Sequence, residues 1–367
     1  MRRKILVAIV YNEPTVQTQE GRKFISEAGV LQEGTNRMTT TTGDQIPVDL
    51  SEVGVVEAME DIKGALISSG HKAVVFNVDS NMHRLIDFLG EERPDLVFNL
   101  CESHGTDSMG EVYIAGLYEV LGMPYTGAPP LTLGIALNKV RTKEILAYNG
   151  IPTPKFRLYN ASTRIAVDGS MRFPMIVKPS REDASVGIDN QSVVENPTEL
   201  RRRIRHIIDK FDQPALVEDY IQGRELNAAI MGNGEPIVLP ISEIDFSEAP
   251  ENMHHIVSYD AKWVKGTPMY EGTRGVCPAP LSSSIEGRVK ELALQAYQII
   301  GCRDYARVDM RLAKNNKLFV LEVNPNPDLS DDAGFARSAR RHGFTFTEMV
   351  GKIVEFTIER SPLRESN

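Results

Sequence analysis

The sequence predicts an α/β protein with two or three domains, whose C-terminal half is of the α+β type. Short apolar runs alternate with amphipathic helical stretches through the first third of the chain, the pattern of a parallel sheet covered by helices. Near the C-terminus, two strand-like runs flank a short polar turn, which is typical of an antiparallel hairpin. A length of 367 residues exceeds that of an ordinary single domain.

Composition narrows the class of protein and of partner. Hydrophobic residues make up 41% and charged residues 25% of the chain, values typical of a soluble globular protein. A net charge of -9 disfavours nucleic acid or an acidic membrane as the main partner, although it is compatible with a local basic pocket for phosphate. The apolar run at residues 5–10 is too short for a signal peptide or a membrane span. Cys101, Cys277 and Cys302 lack metal-ligand spacing and are odd in number, which favours the cytoplasm.

The first predicted domain, residues 1–130, carries the parallel sheet. Its predicted strands cover residues 5–10, 73–78 and 95–100, and its predicted helices cover residues 51–70, 83–89 and 111–121. His104 follows the third strand, at the sheet edge where α/β proteins bind ligands, but an ordinary loop histidine fits the pattern equally well. Residues 15–48 show little periodicity, so we expect a disordered loop, with a substrate lid as the alternative.

The second predicted domain, residues 131–232, contains a candidate phosphate loop. A helix is predicted at residues 137–148, and Lys178 lies near the end of a strand predicted at 174–179. Small and polar residues follow at 180–187, where backbone N–H groups can approach a phosphate and the lysine adds a charge. Most such loops are plain turns, so this signal is weak by itself. Further predicted elements are a helix at 197–210 and strands at 215–221 and 227–231.

The hairpin of the third predicted domain, residues 233–367, is the strongest candidate for a site. Its strands, residues 305–312 and 317–324, carry on one face the polar residues Arg307, Asp309, Arg311, Glu322 and Asn324 and on the other the apolar residues Val308, Met310, Leu312, Phe319, Leu321 and Val323. If the polar faces match, cross-strand neighbours lie ~5 Å apart, a spacing that allows carboxylate and amide oxygens to bind one hard cation. A solvated polar face is the alternative. The Asn-Pro-Asn-Pro segment at 324–327 favours a site, because a rigid turn fixes Asn324 at the strand end.

Several short segments occur in an order typical of one enzyme superfamily. They are Asn-Lys-Val-Arg-Thr-Lys at 138–143, Gly-Ile-Pro-Thr-Pro at 150–154, Val-Lys-Pro at 177–179, Val-Glu at 217–218, Gly-Arg-Glu at 223–225, Tyr-Asp-Ala-Lys at 259–262, Cys-Pro-Ala at 277–279, Ala-Arg-Val-Asp at 306–309 and Leu-Glu-Val-Asn-Pro at 321–325. Together they resemble the ATP-grasp superfamily, specifically its D-alanine-D-alanine ligase group. The resemblance implies an ATP-grasp fold preceded by a Rossmann-like parallel-sheet domain.

The resemblance also implies a set of ligands and a reaction. ATP would be bound by Lys139, Lys178, Ser185, Glu218, Ile221, Glu225 and Lys262, two Mg²⁺ ions by Asp309, Glu322 and Asn324, and the catalytic residues would be Arg307 and Lys262. Phosphoryl transfer from ATP would turn a carboxylate into an acyl phosphate, an amine would attack it, and Arg307 would stabilise the oxyanion. Closure of residues 180–187 would exclude water. The implied protein is a cytoplasmic carboxylate-amine ligase without nucleic-acid or membrane partners, and a homodimer is plausible by analogy.

Three alternatives stay open. They are a genuine D-alanine-D-alanine ligase, transfer of the acyl group to a carrier-protein thiol, and a nucleotide-binding protein without catalysis. The complete set of charged residues disfavours the last, because buried charges without a ligand are costly.

Departures from the family pattern cluster among the substrate residues. The family's serine and tyrosine fall on Ala184 and Trp263, and its glutamate has only Glu52 and Glu13 as candidates. Acidic residues stand where the family has a serine-containing turn that receives the second substrate's carboxylate. Because acids repel a carboxylate and attract a cation, we predict amino-acid-like substrates with a positively charged amine other than D-alanine. The candidate substrate residues are Glu52, His104, Trp263, Asp328, Asp331 and Asp332.

Overall fold

The structure is a computed structural model. It describes residues 4–13, 15–18, 21–24, 29–31, 37–40, 43, 45–47, 54–78, 81–103, 108–163, 165, 169 and 171–361. The candidate substrate residues Glu52 and His104 lie outside these described residues. In the part of the chain that is described, no helix has both the length and the apolarity needed to cross a membrane.

The first part of the chain is a parallel sheet between two layers of helices. Its elements are β1 (Leu6–Tyr11), β2 (Thr15–Thr18), β3 (Gly21–Phe24), β4 (Gly29–Leu31), β5 (Arg37–Thr40), β6 (Gln45–Pro47), α1 (Val55–Ser68), β7 (Lys72–Asn77), α2 (Met82–Glu92), β8 (Leu96–Asn99) and α3 (Gly110–Val120). Strand β1 lies between β7 and β8 and pairs with both in parallel, as predicted. Successive side chains point to opposite faces, so Val7 and Ile9 pack in one cluster with α1, and Ala8 and Val10 pack with α2 and α3.

Residues 15–48 contain short strands, and the prediction of a disordered loop is wrong where the structure describes them. Strands β2 and β3 form an antiparallel hairpin, while β4, β5 and β6 form a small antiparallel sheet. Met38 of β5 is fully buried. The many threonines favour extended backbone, but strands of three or four residues are too short to give a periodic signal. A lid role for this segment stays a prediction.

The central part is a four-stranded antiparallel sheet backed by a helix. Its elements are α4 (Pro130–Leu137), α5 (Lys139–Tyr148), β9 (Phe156–Tyr159), β10 (Met175–Pro179), β11 (Val193–Val194), α6 (Pro197–Phe211) and β12 (Ala215–Asp219). The strand order is β11, β10, β12, β9, and α6 packs on the sheet through Leu200, Ile204 and Ile207. The helix predicted at 137–148 begins later, because Asn138 leaves the helical conformation and its side chain caps α5 by accepting from the Arg141 N–H.

The C-terminal part is built on a larger antiparallel sheet. Its elements are β13 (Gly223–Met231), β14 (Ile237–Val238), β15 (Ser242–Asp245), α7 (Tyr259–Trp263), α8 (Pro268–Glu271), β16 (Arg274–Val276), α9 (Ser283–Ile300), β17 (Tyr305–Ala313), β18 (Leu318–Asn324), α10 (Gly334–His342) and α11 (Phe346–Arg360). The strand order is β16, β15, β13, β17, β18, and β14 also pairs with β13. Helix α9 buries one face of this sheet, which leaves the opposite face available for a site. Strand β13 precedes the predicted boundary at 232 yet pairs with β17 along its length; the domain boundaries stay a prediction.

The hairpin of β17 and β18 forms as predicted, and its polar faces match. Arg307 pairs with Asn324, and Asp309 pairs with Glu322. These side chains therefore occupy one face, in positions to act together.

A β-bulge changes the far half of the hairpin. The register shifts between Asp309 and Met310 and skips Leu321. An extra residue reverses the faces of a strand, so the core receives Leu318 and Val320, whereas Leu321 lines a cavity. The prediction that Phe319, Leu321 and Val323 all lie on the face opposite Glu322 and Asn324 is therefore wrong.

Candidate active site

A cavity of about 1150 Å³ separates the central sheet from the C-terminal sheet. Strands β10 and β12 form one wall, and β13, β17 and β18 form the other. The candidate residues that line it are Lys178, Ser185, Glu218, Ile221, Glu225, Lys262, Trp263, Arg307, Asp309, Glu322, Asn324, Asp328 and Asp332. Lys139 adjoins this wall, with its Nζ 3.5 Å from Glu322 Oε2. The fold thus brings together residues that lie almost two hundred positions apart in the sequence.

A buried cluster of two lysines and one glutamate lies where α5 meets the central sheet. Glu218 Oε1 is 2.9 Å from Lys178 Nζ, and Glu218 Oε2 is 3.1 Å from Lys143 Nζ. Burial lowers the pKa of Lys143 to about 8, and the Glu218 carboxylate limits this shift. Burial acts in the opposite sense on Glu218, but the two lysines lower the pKa of its carboxyl group. With Lys143 protonated, the cluster has a net positive charge that suits an anionic ligand.

Lys143 is a site residue that the sequence analysis missed. It lies four positions after Lys139 on α5, a spacing that puts both side chains on one helix face. This spacing was the signal in the sequence, and the contact with Glu218 shows that Lys143 belongs to the cluster.

Lys139 is held by two carboxylates. Its Nζ donates a hydrogen bond to Asp183 Oδ1 and also lies near Glu322. Burial acts to lower the pKa of Lys139, but the charges of Asp183 and Glu322 raise it above its ordinary value. The ammonium is therefore protonated and already has an anionic partner. Asp183 was also missed, because nothing in its loop of small and polar residues distinguishes it.

The matched face of the hairpin presents oxygen atoms beside a guanidinium. Arg307 Nε and Nη2 each donate to an oxygen of Asp309 at 2.7 Å, and Asn227 Nδ2 donates to Asp309 Oδ1 at 2.7 Å. Burial would raise the pKa of Glu322, but Lys139 and other cations lower it, so this carboxylate is ionised.

These residues fit a magnesium site. Asp309, Glu322 and Asn324 offer carboxylate and amide oxygens, the donor set that Mg²⁺ prefers. A carboxylate has about four lone-pair sites, so Asp309 keeps acceptor capacity beyond its three present donors.

Glu225 is fixed in the cavity wall by Arg311. The Glu225 carboxylate lies 2.8 Å from Arg311 Nη2, and the same guanidinium donates to the carbonyl oxygens of Gly223 at 3.1 Å and His255 at 2.5 Å. Burial raises the pKa of Glu225, and Arg311 opposes this change. The pair holds the glutamate in one orientation toward the cavity.

Part of the loop at residues 180–187 lines the cavity. The Trp263 Nε1–H donates to the Ala184 carbonyl oxygen at 2.8 Å, and the Ser185 hydroxyl donates to the Val257 carbonyl oxygen at 2.8 Å. Ala184 and Ser185 adopt positive φ angles of 52° and 64°. Ala184 and Trp263 stand where the resemblance places a serine and a tyrosine. The hydrogen bond between the Ala184 carbonyl oxygen and the Trp263 indole therefore connects the loop to α7.

The acidic residues after β18 separate into two groups. Asp331 is outside the cavity wall and pairs with Arg340 at 2.5 Å. Asp328 and Asp332 line the cavity. Asp328 also accepts hydrogen bonds from the backbone N–H and the hydroxyl of Ser330. Two of the three acids therefore line the cavity, and a substrate role for Asp331 stays a prediction.

Lys262 lines the same cavity and interacts electrostatically with Asp328 and Asp309. Its Nζ is 4.6 Å from the centroid of the Trp263 ring. Burial and the charge of Arg307 lower the pKa of this lysine. The loop contact and the lysine are thus linked through adjacent residues of α7.

Comparisons with known proteins agree on one family. A model described as D-ala D-ala ligase C-terminus matches residues 144–355, more than half of the chain. A D-alanine-D-alanine ligase of Desulforudis audaxviator is 34% identical over 300 residues, which cover 81% of this chain and 91% of that protein. An uncharacterized protein of Sinorhizobium fredii, y4sG, is 31% identical over 311 residues, which cover 82% of this chain and 87% of that protein.

Solved structures share the whole fold. The D-alanine-D-alanine ligase of Bacillus anthracis, complexed with ATP, superposes with a TM-score of 0.69 at 22% identity, over 97% of this chain and 98% of that chain. The VanG D-Ala:D-Ser ligase of Enterococcus faecalis gives a TM-score of 0.68 at 19% identity, over 97% of this chain and 100% of that chain. The expected fold, a parallel-sheet domain followed by the ATP-grasp sheets, is confirmed.

Proposed function

The chain belongs to the D-alanine-D-alanine ligase family of ATP-grasp enzymes, and we propose that it joins a carboxylate to an amine other than D-alanine through an acyl phosphate. As a member of this family it is a ligase that forms carbon–nitrogen bonds between small amino-acid-type substrates and uses ATP and Mg²⁺. An acyl-phosphate intermediate, two bound magnesium ions and an amine other than D-alanine are the proposed features.

One observation carries the proposal: Lys178, the oxygen cluster and Arg307 line a single cavity, and Lys139 adjoins it. Lys178 is held by Glu218, and Lys139 lies beside Glu322, so both cations flank the face that carries Asp309. Magnesium bound there would neutralise the phosphate charge as the γ-phosphoryl group moves to the carboxylate. The lysines would bind phosphate oxygens, and the hydrogen bond between Lys139 and Asp183 would have to break first.

Arg307 is suited to the second half of the reaction. Its guanidinium rests on Asp309, and a turn of the side chain toward the cavity would direct its N–H groups at the oxyanion formed when the amine attacks. The indole of Trp263 is hydrogen-bonded to the loop at residues 180–187, and closure of this loop over the site would keep water from the acyl phosphate.

The amine is expected to differ from D-alanine because the wall near α10 differs in charge. Asp332 lines the cavity and forms no ion pair within the described ranges, so it would attract a positively charged group. Asp328 lies nearer Arg307 and Lys262, which offset part of its charge. A neighbour described as a D-Ala:D-Ser ligase supports the idea that this fold accommodates second substrates other than D-alanine. The cytoplasmic location and the homodimer stay predictions.

The test is Mg²⁺-dependent phosphate release from ATP, with each proteinogenic amino acid and its D-isomer offered singly and in pairs. We expect a specific pair to stimulate release and its amide to be found by mass spectrometry. Rapid formation of D-alanyl-D-alanine from D-alanine alone would overturn the substrate assignment. A thioester on a carrier protein, detected by intact mass, would favour transfer to a thiol instead.

A further inference from the structure

Arg337 is a cation of the cavity wall that the proposed chemistry leaves without a role. It lies in the first turn of α10 and lines the same cavity as Arg307. Its Nη1–H donates to the Gly275 carbonyl oxygen at 2.9 Å, and no carboxylate among the described residues forms an ion pair with it. A guanidinium has five N–H donors, so most of them remain for a ligand.

Gly275 makes this position of the guanidinium possible. A Cβ at residue 275 would lie 1.8 Å from Arg337 Nη1 and 2.7 Å from Arg337 Cζ. Real Cβ atoms do not approach so closely, and the φ of Gly275 is not in the left-handed region, so backbone conformation does not require glycine there. The guanidinium therefore fills the space that a side chain of β16 would take.

The arginines near Arg337 on α10 are disposed differently. Arg340 is paired with Asp331 outside the cavity, and Arg341 is exposed at the surface. Arg337 is thus the arginine of α10 that faces the cavity.

We propose that Arg337 binds the carboxylate of the amine substrate, which is therefore an amino acid rather than a simple polyamine. Arginine forms two parallel hydrogen bonds with a carboxylate, a geometry that lysine cannot match. Asp332 lies in the same wall. The charges of Arg337 and Asp332 together suit a zwitterionic amino acid that has one further positive group. This inference rests on the proposed ligase function and names the class of its second substrate.

The first experiment follows chemical modification of Arg337. The protein, with Mg²⁺ and a nonhydrolysable ATP analogue, is treated with phenylglyoxal, and the peptide that contains residue 337 is quantified by mass spectrometry. The probes are the proteinogenic amino acids, their D-isomers, the carboxamides of all of these, putrescine and spermidine. We expect at least one amino acid to slow the modification at least tenfold and its carboxamide to slow it less than twofold. Protection by polyamines alone, equal protection by acid and carboxamide, or no protection by any amino acid would overturn the proposal.

The second experiment uses the amino acid that protects best. Arg337→Gln should raise its dissociation constant at least thirtyfold, and Gly275→Ala should do the same by displacing the guanidinium. The double variant should bind no more weakly than Arg337→Gln alone, because Gly275 acts only through Arg337. Arg341→Gln is the matched control and should bind like the wild type. Additive effects of the two substitutions, or wild-type binding by Arg337→Gln, would overturn the assignment.

A third measurement separates this inference from the proposed function. Hydroxylamine traps an acyl phosphate as a hydroxamate without any amine substrate. With amino acids other than the protecting one offered singly as carboxylate donors, Arg337→Gln should form hydroxamate at the wild-type rate and bind ATP normally, which also shows that the variant folds. Hydroxamate absent from the wild type would contradict the proposed function, whereas a loss in Arg337→Gln alone would place Arg337 in the first half-reaction and overturn the present inference.

Discussion

Replacing Asp183 with asparagine is expected to strengthen the binding of ATP. The Lys139 ammonium donates a hydrogen bond to the Asp183 carboxylate. This carboxylate and the phosphate chain of a nucleotide would therefore compete for one cation. The Asp183 side chain is 49% exposed whereas that of Lys139 is 6% exposed, which places the pair at the upper end of the range for surface ion pairs. Loss of about 1 kcal/mol of competing interaction corresponds to a Kd for ATP that is about fivefold lower.

The assay is calorimetric titration of the wild type and of Asp183→Asn with ATP, ADP and adenosine. ATP and ADP should bind more tightly to the variant, and adenosine should bind equally well to both, because adenosine has no phosphate to compete. Trp263 provides a second readout, since it is the single tryptophan of the chain and hydrogen-bonds to Ala184, beside Asp183. Its fluorescence should change when ATP displaces the loop. Asp209→Asn, on the exposed face of α6, is the matched control.

Two outcomes would refute the competition. Weaker ATP binding by Asp183→Asn would mean that Asp183 assists the nucleotide or its metal. An equal gain for adenosine would mean that the substitution acts through the whole loop and not through Lys139.

Three further predictions test the site and the fold. Arg307→Ala should lower the rate of amide formation at least about a hundredfold while ATP binding stays near that of the wild type; unchanged turnover would remove Arg307 from the oxyanion role. Gly187→Ala should lower the free energy of unfolding in urea by roughly 2–3 kcal/mol, because its φ is +74° and its Cβ would lie 2.6 Å from Pro179 Cγ; Gly150→Ala, at φ +75° in open space, should cost less, and equal costs would contradict the clash. Because burial lowers the pKa of Lys143 to about 8, the unfolded chain binds that proton more tightly than the folded protein between pH 8 and the ordinary value of 10.5. The free energy of unfolding of the wild type minus that of Lys143→Met should therefore rise with pH across this range, by up to roughly 3 kcal/mol. A difference that does not depend on pH would contradict the lowered pKa of Lys143.

Local patterns in the sequence determined the framework. Alternation of strands and helices predicted β1, β7 and β8 as a parallel sheet, because buried strands and amphipathic helices each repeat within a few residues. The matched polar face of β17 and β18 also follows from alternation near the turn. The ordered motifs added the family, since each of them is a local run of residue types.

The tertiary structure decided the parts that depend on distant neighbours. The bulge that skips Leu321 is set by pairing with β17, and strict alternation cannot reveal it. Lys143 gains its role only when β12 brings Glu218 to α5, and Arg337 faces the cavity only because Gly275 of β16 leaves room. Charge and shape at a site depend on distances across the folded chain, whereas a sequence displays only the spacing along it.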